Sequence, residues 1–253
     1  MNARHMGRVK SVDKIALVTG ASRGIGAAIA RALAREGYDL CLNYLTNKAL
    51  AEELAEELRS PGCRVITHRA DVACIDQVRE MFCRVERELG HVSLLVNNAG
   101  VSLRAQIQDI LPCQWQRIMA VNAGGCYNCI SCTLPPMLEA HEGCIINISS
   151  IWGSRAASCE SAYAASKHAV EGLSRSLAAE LAPSHIRVNC IAPGVIGTDM
   201  LHSLGEEKVE EIYSQMPLER FGSVEDAAQA AVYLAKAEYV TGTVLTVDGG
   251  FTL

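Results

Sequence analysis

Thr19-Gly20-Ala21-Ser22-Arg23-Gly24-Ile25-Gly26 closes a short apolar run, residues 15–19, and opens directly into a helical run, residues 27–35. In a strand–turn–helix setting, glycines permit a tight turn and let backbone N–H groups approach a pyrophosphate at the positive end of a helix. The spacing is G-x3-G-x-G rather than G-x-G-x-x-G, and glycines also punctuate ordinary loops, so the context has to carry the reading. That context extends along the chain. Apolar runs of strand length at 15–19, 40–43, 64–69, 94–97, 144–149, 187–191 and 244–247 alternate with helical stretches such as 48–59, 77–89, 112–134 and 161–181. Such alternation predicts an α/β doubly wound Rossmann fold, a seven-stranded parallel sheet covered on both faces.

Residues 1–11 are polar and basic without periodicity and are expected to form a disordered tail, leaving 12–253 as a single domain. Across 253 residues the composition is 49% hydrophobic and 20% charged, that of a globular protein, and no apolar run approaches the length of a bilayer span. A formal net charge of -5 gives no broad attraction to nucleic acid or to an anionic membrane. Eleven cysteines without a signal peptide point to buried thiols in a reducing cytoplasm rather than to disulfides. Cys126, Cys129 and Cys132 have the C-x2-C-x2-C spacing of a metal site, but they lie in a helical stretch without a nearby fourth ligand. They read as a small apolar helix face, and no metal is expected.

At the end of the second strand, an acid would accept hydrogen bonds from the ribose hydroxyls of NAD. The chain has Asn43-Tyr44 there, and Arg23 in the glycine turn offers a charge-assisted contact to the 2′-phosphate of NADP. NADP(H) is therefore expected, and an acid placed at Asn43 would be expected to favour NADH.

Ser149 and Ser150 follow the fifth strand, Tyr163 comes later, and Lys167 stands four residues beyond it on the same helix face. A tyrosine protonates a carbonyl oxygen near neutral pH only if its pKa falls from about 10, a bias that a neighbouring ammonium supplies. A serine hydroxyl on the facing loop steadies the developing oxyanion. Taken singly, each residue has an ordinary structural role, but together with the glycine turn they point to hydride transfer to a ketone.

From Thr19 to Gly26, through Asp71-Val72, Asn97-Asn98-Ala99-Gly100, Asn122, Ser150, Tyr163-x3-Lys167 and Pro193-Gly194, the chain resembles the short-chain dehydrogenase/reductases over its whole length after the tail. The resemblance implies that Tyr163 is the acid/base, that Lys167 holds the nicotinamide ribose, and that Ser150 orients the carbonyl. It implies that Asn122 kinks its helix and helps hold a relay water, completing the catalytic set. It also implies a cofactor cradle of Gly20, Ser22, Arg23, Gly24, Ile25 and Gly26. Beyond the cradle it implies that Asp71, Val72 and Asn98 line the adenosine side, that Ile196, after Pro193-Gly194, lies against the nicotinamide carboxamide, and that Asn43, Ala99, Gly100, Pro193, Gly194 and Thr198 also belong to the cofactor site.

Within that family the chain is similar to the 3-oxoacyl-acyl-carrier-protein reductases in Thr198-Asp199-Met200 and the Val247-Asp248-Gly249-Gly250 ending. A narrower likeness to the elongation factor P 5-aminopentanone reductases lies in residues 149–153 and 157–160, from which Ser154-Arg155-Ala156 departs. The ketone is therefore carried on acyl carrier protein or elongation factor P, or is a small molecule such as a steroid, with Trp152 and Cys159 as candidate substrate contacts. Glu160 offers an attraction for an amine, and Arg155 and Arg104 for a phosphopantetheine arm. Residues 201–215 are expected to form a substrate cover. The family likeness, the small-residue helices at 112–134 and 161–181, and the apolar end of the chain lead to the expectation of a homotetramer.

Overall fold

The computed structural model describes residues 14–60, 62–197 and 206–253. The tail expected at 1–11 lies outside them. Seven strands form one sheet in the order β3-β2-β1-β4-β5-β6-β7: β1 Ile15–Val18, β2 Asp39–Tyr44, β3 Val65–Arg69, β4 Leu94–Asn97, β5 Gly143–Ile148, β6 Ile186–Pro193 and β7 Val244–Val247. Every pairing is parallel. The central strands read as continuous apolar runs because both faces are covered.

Successive side chains serve opposite faces. Ala16 and Val18 pack with α1 (Gly24–Arg35) and the late helix α8 (Val224–Lys236), whereas Ile15 and Leu17 pack with α3 (Ile75–Glu88), α5 (Gly125–Ala140) and α6 (Ser161–Leu181). The short helix α2 (Lys48–Leu58) packs against the first of these layers through Leu54 and Ala55.

The helical stretch expected at 112–134 is α4 (Pro112–Met119) and α5, joined by a π-helical turn, Ala120–Gly124. It also continues past Pro135 and Pro136 to Ala140. A proline inside a helix removes a hydrogen bond, but Met137, 2% exposed and close against Gly143, holds the last turn to the sheet. Cys126 and Cys129 are buried on the core side of α5, and burial pushes the Cys126 thiol up to about 11, as expected of small apolar packing groups. Among the described residues no helix is long and apolar enough to cross a membrane. Strand order reverses at β1, whose neighbours are β2 and β4, and this opens a crevice at the carboxyl ends of β1 and β4.

Candidate active site

The glycine turn leaves β1 and is laced to both neighbouring strands. Thr19 Oγ1 accepts from the backbone N–H groups of Asn98 and Ala99 at 2.9 and 3.0 Å. The Asn98 amide donates to the carbonyls of Thr19 and Gly20 at 2.9 and 3.0 Å. Side chains are excluded here by contact: a Cβ on Gly26 would stand 2.5 Å from both the Asn98 amide nitrogen and the Gly20 carbonyl. At Gly24 the backbone is left-handed, φ +58°, and among the described residues nothing lies within 4 Å of where a Cβ would be. The N-cap residue of α1 makes no side-chain cap, and the helix's first turn carries no acid. A nicotinamide dinucleotide fits this cradle, because the N–H groups of a helix start behind a glycine turn favour a pyrophosphate. Arg23, exposed at the N-cap, and the half-buried Ser22 and Ile25 edge the turn.

Asn43 is placed differently from the expectation of a residue facing the ribose. It is 2% exposed, its Oδ1 accepts from Gly20 N–H at 3.2 Å, and its Nδ2 lies within reach of three carbonyls, nearest Ala70 at 3.1 Å. Its side chain holds the turn to β3, so the idea that an acid at this position would recruit NADH gives way to a structural role. Asn98 braces the cradle through the two carbonyl contacts of its amide nitrogen. Asp71 accepts from Arg117 at 2.8 Å and from Ala73 N–H at 3.0 Å, and Val72 packs under Gly125, where a Cβ would stand 2.6 Å from its Cγ2.

On the far side of the crevice, Ser150 stands two residues past the end of β5 and caps the 3-10 turn Ile151–Gly153, its Oγ accepting from Trp152 N–H at 3.3 Å. Lys167 is 4% exposed, donates from Nζ to the carbonyl of Ile148 at 2.7 Å, and sits 5.6 Å from the centroid of the Tyr163 ring. Asn122 lies within the π-turn. Its Oδ1 accepts from Val101 N–H at 2.8 Å and its Nδ2 donates to the Val101 carbonyl and Ser166 Oγ, both at 2.9 Å. Gly100 stands between these groups: a Cβ there would lie 3.4 Å from Asn122 Oδ1 and 3.7 Å from Lys167 Nζ. Four separate elements thus bring Gly100, Asn122, Ser150, Tyr163 and Lys167 to one end of the sheet. The buried Lys167 cation lies beside the Tyr163 ring, at the same end of the sheet as the Ser150 hydroxyl.

Pro193 ends β6, Gly194 packs so closely on Asp248 that a Cβ would stand 2.5 Å from it, and Ile196 is buried and bridges to Gly222. Thr198 lies outside the described residues, as does the start of the expected cover, which continues in α7 (Glu206–Tyr213). Trp152 and Cys159 are half-buried on the segment between β5 and α6. Cys159 has φ +62°, and its carbonyl accepts from Ala105 N–H at 2.8 Å, pinning the loop after β5 to the loop after β4. Arg155 is exposed and donates to the Thr252 carbonyl, which ties the loop after β5 to the end of the chain.

The sequence model of the family described as enoyl-(acyl carrier protein) reductase matches residues 20–252. The chain belongs to the short-chain dehydrogenase/reductase family. It is 40% identical over 241 residues to 3-oxoacyl-[acyl-carrier-protein] reductase FabG of Staphylococcus epidermidis, covering 94% of this chain and 99% of the relative. The crystal structure of 3-oxoacyl-[acyl-carrier protein] reductase from Brucella melitensis superposes with a TM-score of 0.89 at 33% identity, covering 95% of this chain and 92% of the other. A blue fluorescent protein from a metagenomic library, solved in complex with NADPH, gives a TM-score of 0.88 at 38% identity over 95% and 98%. The family model and the relatives differ in the bond their names specify, enoyl against 3-oxoacyl.

Within this short-chain dehydrogenase/reductase frame, several residues that the sequence passes off as ordinary prove to belong to the site's support. Asn97 donates to Asn147 at 2.8 Å and Asn147 to Ser174 at 2.7 Å, a polar chain through the middle of the sheet and onto α6. Ser166 donates to the Tyr163 carbonyl at 2.6 Å while accepting from Asn122. The available signal was asparagine inside otherwise apolar strands, where an unpaired polar group is costly.

Proposed function

We propose that this chain is an NADPH-dependent reductase of 3-oxoacyl groups carried on acyl carrier protein. The carrying observation is the convergence of Ser150, Tyr163 and the buried Lys167 beside the glycine cradle, a set built to stabilise and protonate one carbonyl oxygen. The bound NADPH would supply the hydride. Ser150 receives the Trp152 N–H on its oxygen, which leaves its own hydrogen to point at the substrate carbonyl. Tyr163 delivers the proton to that oxygen, and the Lys167 ammonium, fixed by the Ile148 carbonyl, stabilises the negative charge left behind. Asn122, through the π-turn, holds the backbone of Val101 and the helix end that carries Tyr163.

Ketone rather than enoyl reduction is favoured because a serine and a tyrosine hydroxyl beside a buried cation suit a carbonyl oxygen, and the two relatives named as reductases are named for the 3-oxoacyl group. A ketone on elongation factor P is the competing substrate. Glu160 would have to attract its amine, yet burial pushes that carboxyl's pKa up and Arg104 is close enough to oppose the shift. The testing comparison is of specificity constants for acetoacetyl-acyl carrier protein, aminopentanone-modified elongation factor P and crotonyl-acyl carrier protein, read by NADPH consumption. The acetoacetyl thioester is expected to lead; a clear preference for either rival would overturn the proposal.

Arg23→Ala is expected to raise the Kd for NADPH about 10-fold or more, the worth of a charge-assisted hydrogen bond, while leaving NADH within about twofold. Equal shifts in two fluorescence titrations would remove the 2′-phosphate role. A homotetramer is the proposed assembly, supported by exposed apolar side chains on α4 and α5 (Trp115, Tyr127, Leu138) and near the end of the chain (Tyr233, Tyr239). Light scattering at micromolar concentration should return four chain masses, and a monomer mass would end this reading.

A further inference from the structure

Glu171 is 1% exposed, lies one helical turn beyond Lys167 on α6, and has no part in the chemistry proposed above. Its Oε1 accepts from Ser149 Oγ at 2.9 Å and its Oε2 from Arg175 at 3.2 Å. Opposite it stands Gly153: a Cβ there would lie 2.3 Å from Glu171 Oε1 and 2.4 Å from Ser149 Oγ. The carboxylate therefore grips the residue before Ser150 and occupies the space that a side chain at 153 would fill. Between these two points runs the whole turn Ser150–Gly153, closed by Gly153 N–H donating to the Ser150 carbonyl at 2.8 Å.

A carboxylate only accepts hydrogen bonds, so Ser149 must donate to it. This fixes which of two adjacent serine hydroxyls faces the helix and which faces the crevice. A buried charge is costly unless it is paired, and replacing one with an apolar residue is often neutral or stabilising, so packing alone gives no reason for an acid here. We infer that Glu171 is a positioning residue: acting through Ser149 and Gly153, it sets the turn that presents the Ser150 hydroxyl to the substrate. The kinetic part of this inference rests on the ketone-reductase reading; the conformational part does not.

The chain has two tryptophans, Trp115 and Trp152, so in a W115F background the emission reports the turn itself. In that background E171A and S149A are each expected to lower kcat about 10- to 100-fold, as misplacement of a catalytic group does, with the Kd for NADPH within about twofold. The double variant should be no worse than either single one, because both cut the same link. E171Q keeps an acceptor oxygen and should recover to within about threefold of the parent. Trp152 emission should shift in E171A, S149A and G153A but not in E171Q, and amide exchange at Trp152 and Gly153 should speed up in the same three. Should E171A fail to fold, S149A and G153A carry the test. Additive losses in the double variant, or unchanged Trp152 emission and exchange in all of them, overturn the inference. If the parent reduces no ketone, the reductase reading falls, and emission and exchange still decide this one.

Discussion

Tyr163→Phe is expected to keep the fold and the affinity for NADPH while lowering ketone turnover about 10²- to 10⁴-fold, or some 3–5 kcal/mol of transition-state stabilisation. The substitution deletes one oxygen from a half-buried ring and leaves its packing, so thermal stability should barely move. Lys167 keeps its bond to the Ile148 carbonyl, and Asn122 still holds Val101 and Ser166, because neither contact passes through the phenol oxygen. What disappears is the proton donor alone. Ser150 still offers one hydrogen bond to the carbonyl, which is why a measurable residual rate is expected rather than none. The check combines steady-state NADPH consumption, a cofactor titration and a melting curve on the same preparation. Turnover near that of the parent would remove Tyr163 from its role, and a matching loss of NADPH affinity would make the effect structural.

The strands were legible because their signal is local: apolar runs of strand length between turn residues, such as Leu94–Asn97, which appears with the same bounds in sequence and structure. Tyr163 and Lys167 were legible for a related reason, since a four-residue step on one helix fixes their shared face without any tertiary information. The π-turn at Ala120–Gly124, which contains Asn122, was reached only through the family resemblance, which implies a kink at that residue, and not through any local signal. It changes which carbonyl each N–H meets, and residues such as Ala, Val and Gly carry no mark of that change. Helix α5 outran its reading at Pro135 because a local rule about proline yielded to the packing of Met137 on the sheet. Glu171 and Arg175 look like an ordinary solvated pair four residues apart on a helix. Only the turn after β5, folding over α6, buries the acid and makes it part of the site. At Asn43 the reverse holds: the end of β2 is where a ribose contact is expected, and nothing local shows that this side chain points inward.

That inward placement makes Asn43→Asp the most destabilising change expected in the cofactor half of the molecule. The present amide receives Gly20 N–H on its oxygen and turns its nitrogen toward the carbonyls of Tyr44, His68 and Ala70. An ionised carboxylate keeps the first bond but sets a second oxygen against three carbonyl oxygens at 2% exposure. The cost of such an unpaired buried charge is about 3–5 kcal/mol, whereas Asn43→Ala, which only leaves polar groups unmet, should cost about 1–3 kcal/mol. The introduced carboxyl has a way to lessen the penalty, because in its protonated form it can donate to one of those carbonyls. Burial and the carbonyl dipoles then raise its pKa in the folded state above the unfolded value of about 4. With the folded state holding the proton more tightly, the variant is most stable below pH 4 relative to the parent and loses ground as pH rises toward the folded-state value. Urea unfolding at a series of pH values should therefore show a gap between Asn43→Asp and the parent that widens from about pH 4 to neutrality. The gap for Asn43→Ala should stay flat. A pH-independent gap for the acid variant, or stability equal to the parent together with a new preference for NADH, would mean that residue 43 faces the ribose after all and that the turn is held to β3 by other contacts.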